Sequence, residues 1–276
     1  MTMNILYFSG FAPCRGGLLS MFAITTTLYA FAFQKVNILS RPSALAHTNL
    51  FATSTGTRIC IDEDSPRDIE SMIGWSTVWG GQTAEGIHLA PNDENLLEYG
   101  FIATQDLPAN QPVLFVPNNM VWTGRKTMQQ LGNVPAAEDL LIQSGASEHL
   151  SEFYLFLNLL KEYENGDASF WYPWLNSLPR YYSNGSSMTY TCCKCLPPLV
   201  GSLANNERIR FMNFCRALTY VDFLDGRTKI NRDLAKWAFA VVSTRSFPTK
   251  NGDIQLVPMA DMVSACGVHM LSFYVL

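Results

Sequence analysis

The chain has 276 residues, 48% of them apolar, 12% aromatic and only 15% charged, with a formal net charge of −4 and a pI of about 5.6. That is enough apolar chain to bury a core in one domain or two. The lack of any basic stripe argues against a nucleic-acid surface. The seven cysteines, Cys14, Cys60, Cys192, Cys193, Cys195, Cys215 and Cys266, are odd in number and scattered. Such a set is no disulfide framework and fits a reducing compartment.

Charge is unevenly placed. Residues 1–61 contain no acid and only Arg15, Lys35, Arg41 and Arg58, leaving 15 basic and 23 acidic residues, a net of −8, for the remainder. Leu18 to Phe33 is an apolar run behind Arg15 that ends in Ala30-Phe31-Ala32, the pattern of a secretory signal with a small-x-small cleavage site. Three threonines interrupt the run, and it is shorter than the roughly 20 residues a span needs, so no stable membrane anchor is expected. Gln34 to Arg58 is rich in Ser and Thr, as transit peptides are. Residues 1–61 are therefore expected to be a targeting presequence, unfolded or removed. The two-part arrangement resembles that of secondary plastids, with a mitochondrion or the secretory route as alternatives.

Further along, Ser65-Pro66 predicts an N-cap and first turn for a short helix toward Trp75, broken by Gly80-Gly81. Val113 to Val116 predicts a strand. Leu150 to Tyr163 is apolar almost all round and predicts a buried helix ended by Gly166. Ser169 to Pro179 reads as an aromatic loop. A helix over about Leu203–Leu218 is expected to carry Ile209, Met212 and Cys215 on one side. Another is capped by Asn231 and runs to about Ser246, with Leu234, Trp237, Ala238 and Val241 as its buried stripe. Ile254 to Val257 predicts a strand bounded by Pro258. Short strands, then helices, then strands give an α+β fold in one domain.

Three segments in this order carry a resemblance. They are Gly100-Phe101-Ile102-Ala103-Thr104-Gln105-Asp106-Leu107 closing with Val113 to Pro117; Phe170-Trp171-Tyr172-Pro173-Trp174-Leu175 with Leu178-Pro179; and Ser243-Thr244-Arg245-Ser246-Phe247 followed by Leu256-Val257-Pro258-Met259-Ala260-Asp261-Met262. Together they resemble SET-domain protein methyltransferases, in the branch of the Rubisco large-subunit lysine methyltransferase. The resemblance implies a β-clip SET core over residues 62–263 with a helical insertion of about 126–236. It also implies methyl transfer from S-adenosylmethionine to a protein lysine, with the Rubisco large subunit or another stromal enzyme as candidate partner.

By that resemblance the cofactor contacts are Leu97, Glu98, Tyr99, Gly100, Arg245, Asp261 and Met262. A backbone cradle at 97–100 needs the close approach glycine allows, although Glu98 stands where the family has a second glycine; an ordinary β-turn is the alternative. Arg245 follows Val241 by four and Ala238 by seven, so it continues an apolar stripe. An inward arginine needs an anion or carbonyls, because an unpaired buried charge is costly. A core ion pair or a solvated last turn is the alternative to a cofactor contact. Asp261 begins the family's Asp-x-x-Asn-His motif, but Ser264 and Ala265 replace the Asn-His pair; a strand-end cap is its alternative. Trp171, Tyr172 and Trp174 read as packing before they read as a substrate clamp. The cysteines at 192–195 with Cys215 do not form the separated pairs of a structural zinc site, so no metal is expected. His88, His149 and His269 have no triad partner at a recognisable spacing.

The family's catalytic tyrosine follows the Asn-His motif. Residues 264–276 resemble nothing in the family, so no catalytic residue is assigned, the C-terminal part of the core is expected to be missing, and the chain as given is expected to be inactive. In-frame GTAAGT or GTGAGT encodes Val-Ser, here Val263-Ser264, which makes translated intron the expected source of that tail. A non-catalytic, SET-derived protein-binding module is the alternative function.

Overall fold

Apolar residues gather in runs that suit particular elements, and a computed structural model shows how they assemble. It describes residues 3–7, 57–91, 99–108, 111–262 and 272–275. The chain divides into a unit of Met1–Gly10 with Ser54–Leu276 and a second unit, Phe11–Thr53. The second unit lies outside the described residues, and with it the apolar run at 18–33.

Among the described residues the strands are short and lie in three small sheets. In the first, β1 (Met3–Tyr7) pairs antiparallel with β5 (Pro112–Pro117), placing Ile5 opposite Phe115, while β5 also pairs with β2 (Gln82–Thr83) and β1 with β9 (Ser272–Val275). The second sheet is a ribbon of β3 (Ile87–Pro91) and β4 (Tyr99–Ala103), with Ala90 opposite Gly100. The third joins β6 (Trp122–Thr123), β8 (Ile254–Leu256) and β7 (Ser246–Pro248), with β8 central. β1 and β9 both come from segments expected to lie outside the SET core. Ile59, inside the expected presequence, is 3% exposed in the main core.

Helices fill the space between β6 and β7. They are α2 (Gly124–Leu131), α3 (Pro135–Gln143), α4 (Leu150–Asn165), α5 (Tyr172–Ser177), α6 (Tyr190–Lys194), α7 (Pro198–Leu218), α8 (Gly226–Ile230) and α9 (Arg232–Arg245), with α1 (Ile69–Val78) before them. Because Trp122 and Ser246 both pair with Leu256, the helical stretch begins and ends on the two strands that flank β8. Asp253 fastens that junction: one carboxylate oxygen accepts the Arg125 N–H at 3.1 Å and the other accepts that of Ile254 at 2.9 Å.

α4 is the axis of the core. Nine consecutive residues, Glu152 to Leu160, are buried, as an all-round apolar helix must be. Gly166 closes it at φ 55°, a conformation glycine adopts without a Cβ penalty. Phe153 and Phe156 meet Phe214 at 5.2 and 5.6 Å between centroids, and Phe214 meets Phe239 of α9 edge-on at 5.5 Å.

Three expectations need correction. α1 begins at Ile69, capped by Asp68, whose carboxylate accepts the Ser71 N–H; the Pro66 carbonyl is instead taken by Arg180. The 169–179 segment holds a short helix, α5, with Pro173 in its first turn, not a bare loop. The buried face of α7 is Ala204, Phe211, Phe214, Ala217 and Leu218, whereas Ile209 is 47% exposed. The aromatic rings of α4 select the phenylalanine face over the Ile209 face.

Candidate functional site

α9 is built to deliver an arginine to the third sheet. Asn231 caps it through the Leu234 N–H at 3.1 Å, and Leu234 to Val242 are buried except Lys236. The stripe ends on Arg245 in the last turn. Its Nη1 donates to the Asp261 carbonyl at 2.6 Å and to the Asp261 carboxylate at 3.2 Å, and its Nε donates to the Tyr182 hydroxyl at 3.1 Å. The arginine side chain is 16% exposed and that of Asp261 0%.

Asp261 is presented by a tight turn. Met259 sits at φ 67°, a left-handed conformation that costs an ordinary residue about 1–3 kcal/mol. It persists because the Met259 side chain is buried and its carbonyl accepts the Met262 N–H at 3.0 Å. The 260–262 turn packs against β4, which carries Tyr99 and Gly100. Arg67 ties β4 to α5: its guanidinium lies 5.1 Å from the Tyr99 ring centroid, and its Nε donates to the Ser177 carbonyl at 2.7 Å.

The electrostatics follow from burial and pairing. Burial opposes the charge on Arg245, but Tyr182 and Asp261 outweigh it and hold the guanidinium above its ordinary value. Burial lifts Asp261 above the usual carboxylate range, against the pull of Arg245 and the Trp174 indole. Trp174 Nε1 and Asp261 Oδ1 are each buried without a hydrogen bond of ordinary geometry. Tyr182 is also raised, by burial first. Its hydroxyl points inward while part of the ring reaches the surface. Arg67 is pushed down to about 10, by burial and then by repulsion from Arg245.

Of the expected site residues, Tyr99, Gly100, Arg245, Asp261 and Met262 converge. Leu97 and Glu98 lie outside the described residues, as do Ser264, Ala265 and His269. Tyr99 and Gly100 open a paired strand instead of sitting in a turn. Met262 is buried at 3% and supplies packing. Arg67, Trp174 and Tyr182 are members the sequence reading did not assign. Arg180, 7% exposed, donates to the carbonyls of Leu178, Pro66 and Asn176 and adds a further positive charge nearby.

Two clefts adjoin the cluster. One, of about 250 Å³, is lined by Tyr182, Arg180, Trp237, Lys236, Asp62 and Asp233 among others. The other, of about 200 Å³, lies between α1 and the β3–β4 ribbon, against Met259, Phe101, Leu89, Thr77 and His88. Trp171 and Trp174 pack on Trp122 at 4.8 and 5.0 Å, and Trp174 is fully buried, so these rings serve the core. Among the described residues no group of three or more His, Cys, Asp or Glu side chains could hold a metal ion, and no helix is long and apolar enough to cross a membrane.

No protein-family model matches the chain, and no curated protein sequence matches it. Among solved structures, the chain is similar to Rubisco LSMT bound to AdoMet, with a TM-score of 0.52 and 20% identity over 73% of this chain. It spans 45% of the length of that structure. The likeness shows a shared α+β fold of small sheets and helices.

Proposed function

We propose that this chain has the SET-type core of an S-adenosylmethionine-dependent protein-lysine methyltransferase. The observation that carries the reading is the convergence of β4, the Arg245 guanidinium and the Asp261 turn on one buried, positively charged locus. Arg245 pairs with the Asp261 carboxylate there, and Arg67 lies close enough to act on it. An arginine so placed fits the carboxylate of an amino-acid ligand, and Asp261 Oδ1 retains acceptor capacity for an ammonium group. The similarity to an AdoMet-bound protein supports the same ligand.

Residues that would hold the cofactor are Arg245 and Arg67 at its charged end, Tyr99 and Gly100 along the β4 backbone, and Asp261 with Met262 at the turn; Leu97 and Glu98 precede β4 in sequence. When bound, S-adenosylmethionine supplies an electrophilic methyl group on sulfur. The chain's own contribution is alignment, which can supply roughly 7–11 kcal/mol of a displacement barrier. A lysine amine must arrive neutral to attack; the cleft beside Met259, lined by Leu89 and Phe101 together with Thr77 and His88, is the candidate entry for it. Candidate substrates are the Rubisco large subunit or another stromal enzyme. The acid-free, Ser/Thr-rich start supports plastid delivery, which a fluorescent fusion of residues 1–61 would test.

A second reading has its own support. Arg245 is already answered by Asp261 and Tyr182, so the cluster is closed without a ligand, as a non-catalytic binding module would have it. Titration calorimetry of the full chain with S-adenosylmethionine separates the two. Saturable binding that weakens at least about tenfold in Arg245→Met, the loss of one charged hydrogen-bonded contact, supports the methyltransferase. Absence of heat, with the chain folded by circular dichroism, leaves the binding module.

A further inference from the structure

Cys192 and Cys195 stand three apart in the sequence Cys192-Cys193-Lys194-Cys195, a Cys-x-x-Cys spacing. Both are exposed, while Cys193 between them is buried. Residues three apart lie on one face of a helix, and Cys195, the C-cap of α6, still has helical dihedrals (φ −82°, ψ −9°). The Cys195 N–H bonds to the Cys192 carbonyl at 3.1 Å. Helical rise and radius put their Cα atoms about 5 Å apart, within the roughly 4.4–6.8 Å that a disulfide spans.

Cys192 has a specific neighbour. The Thr189 hydroxyl donates to Cys192 Sγ at 3.0 Å, and the same oxygen accepts the Cys192 N–H at 3.2 Å. Donation to sulfur stabilises the thiolate, and with the backbone hydrogen bond it lowers the Cys192 thiol from its ordinary value. Cys215, by contrast, is pushed up to about 11 by burial, which keeps it an unreactive thiol.

The geometry points to a reversible Cys192–Cys195 disulfide on α6, with Cys192 as attacking thiolate and Cys195 as resolving thiol. A low-molecular-weight disulfide such as oxidised glutathione is the oxidant. Cys192 S⁻ attacks one of its sulfurs, forming a mixed disulfide and releasing one glutathione thiolate. Cys195, having lost its proton to solvent, attacks the Cys192 sulfur and expels the second. The protein loses two hydrogens and the oxidant becomes two thiols, so electrons and protons balance. Helical Cβ atoms three apart are about 5–6 Å from each other, wider than the roughly 3.5–4.5 Å of a relaxed disulfide. Closure must therefore loosen the last turn of α6, which makes the bond strained and readily reduced. The same short stretch leads back through Ser187, whose hydroxyl donates to the Tyr182 carbonyl at 2.6 Å, toward the partner of Arg245. The inference does not depend on the methyltransferase reading.

The test incubates the full chain with glutathione buffers of graded poise, quenches with acid, alkylates and maps peptides by mass. The expected result is loss of two hydrogens in the peptide holding residues 192–195, reversed by dithiothreitol. Cys195→Ser should accumulate one glutathione on Cys192, and Cys193→Ser should leave the bond unaffected. Thr189→Val should slow the first step and move its pH midpoint upward, with Thr189→Ser restoring both. Linkage of Cys192 to Cys193, glutathione spread evenly over the exposed thiols, or no oxidation even in oxidised glutathione alone would each overturn the proposal.

Discussion

Removing the carboxylate from under Arg245 is the most informative single perturbation. Asp261→Ala deletes a side chain with 0% exposure and leaves an arginine side chain only 16% exposed, within the repulsion of Arg67. Breaking a buried pair from one side costs about 3–5 kcal/mol. The Asp261 carbonyl at 2.6 Å and the Tyr182 hydroxyl at 3.1 Å survive the substitution, so the lower end is expected, about 3 kcal/mol. At roughly 2–4 °C per kcal/mol for a domain of this size, the Tm should fall by about 6–12 °C. Urea unfolding of wild type, Asp261→Ala, Arg245→Met and the double variant gives both the single costs and their coupling. A strongly coupled cycle, with the double variant little worse than Asp261→Ala, is expected. Independent effects, or an Asp261→Ala cost under about 0.5 kcal/mol, would mean that the arginine escapes to water and the buried cluster is misread.

Other outcomes follow from the same contacts. Phe214→Ala empties the centre of the α4–α7–α9 ring packing and should cost about 3–5 kcal/mol by urea unfolding. Gly185→Ala would put a Cβ 2.3 Å from the Ala204 carbonyl oxygen; the forced shift should cost about 1–3 kcal/mol and weaken Arg245-dependent binding by displacing the Tyr182 segment. Asp261 has a folded pKa raised above its ordinary 3.8, so the folded state keeps this proton to higher pH than the unfolded chain. Its contribution to stability is full below about pH 4 and declines as pH rises through the folded value; Asp261→Asn should flatten that part of the stability–pH curve.

Patterns with a strong period were legible in the sequence. The apolar run in α4 and the Leu234–Val241 stripe of α9 leave no competing arrangement, and the stripe places Arg245 inward before any contact is known. What escaped comes from segments without a period. Arg67 lies between a turn and a helix cap, and Tyr182 follows the irregular Leu178–Arg180 stretch. Their roles depend on long-range closure, since Tyr182 and Arg245 are 63 residues apart. α7 shows the limit of face assignment. Both the Ile209 and the Phe211 faces are apolar, and only the phenylalanines of α4 decide between them. Likewise α5 is too short for periodicity to declare, and Asp68 takes the α1 cap because its carboxylate accepts the Ser71 N–H.

Hydrogen exchange of the full chain with and without saturating S-adenosylmethionine tests the central claim most directly. Joint protection of Tyr99–Ala103, of the backbone around Tyr182 and of Val257–Met262, with little change in α2 and α3, is the predicted result. Protection confined to other segments, or no change at concentrations that saturate binding, would contradict the convergence of β4, Arg245 and the Asp261 turn on one ligand.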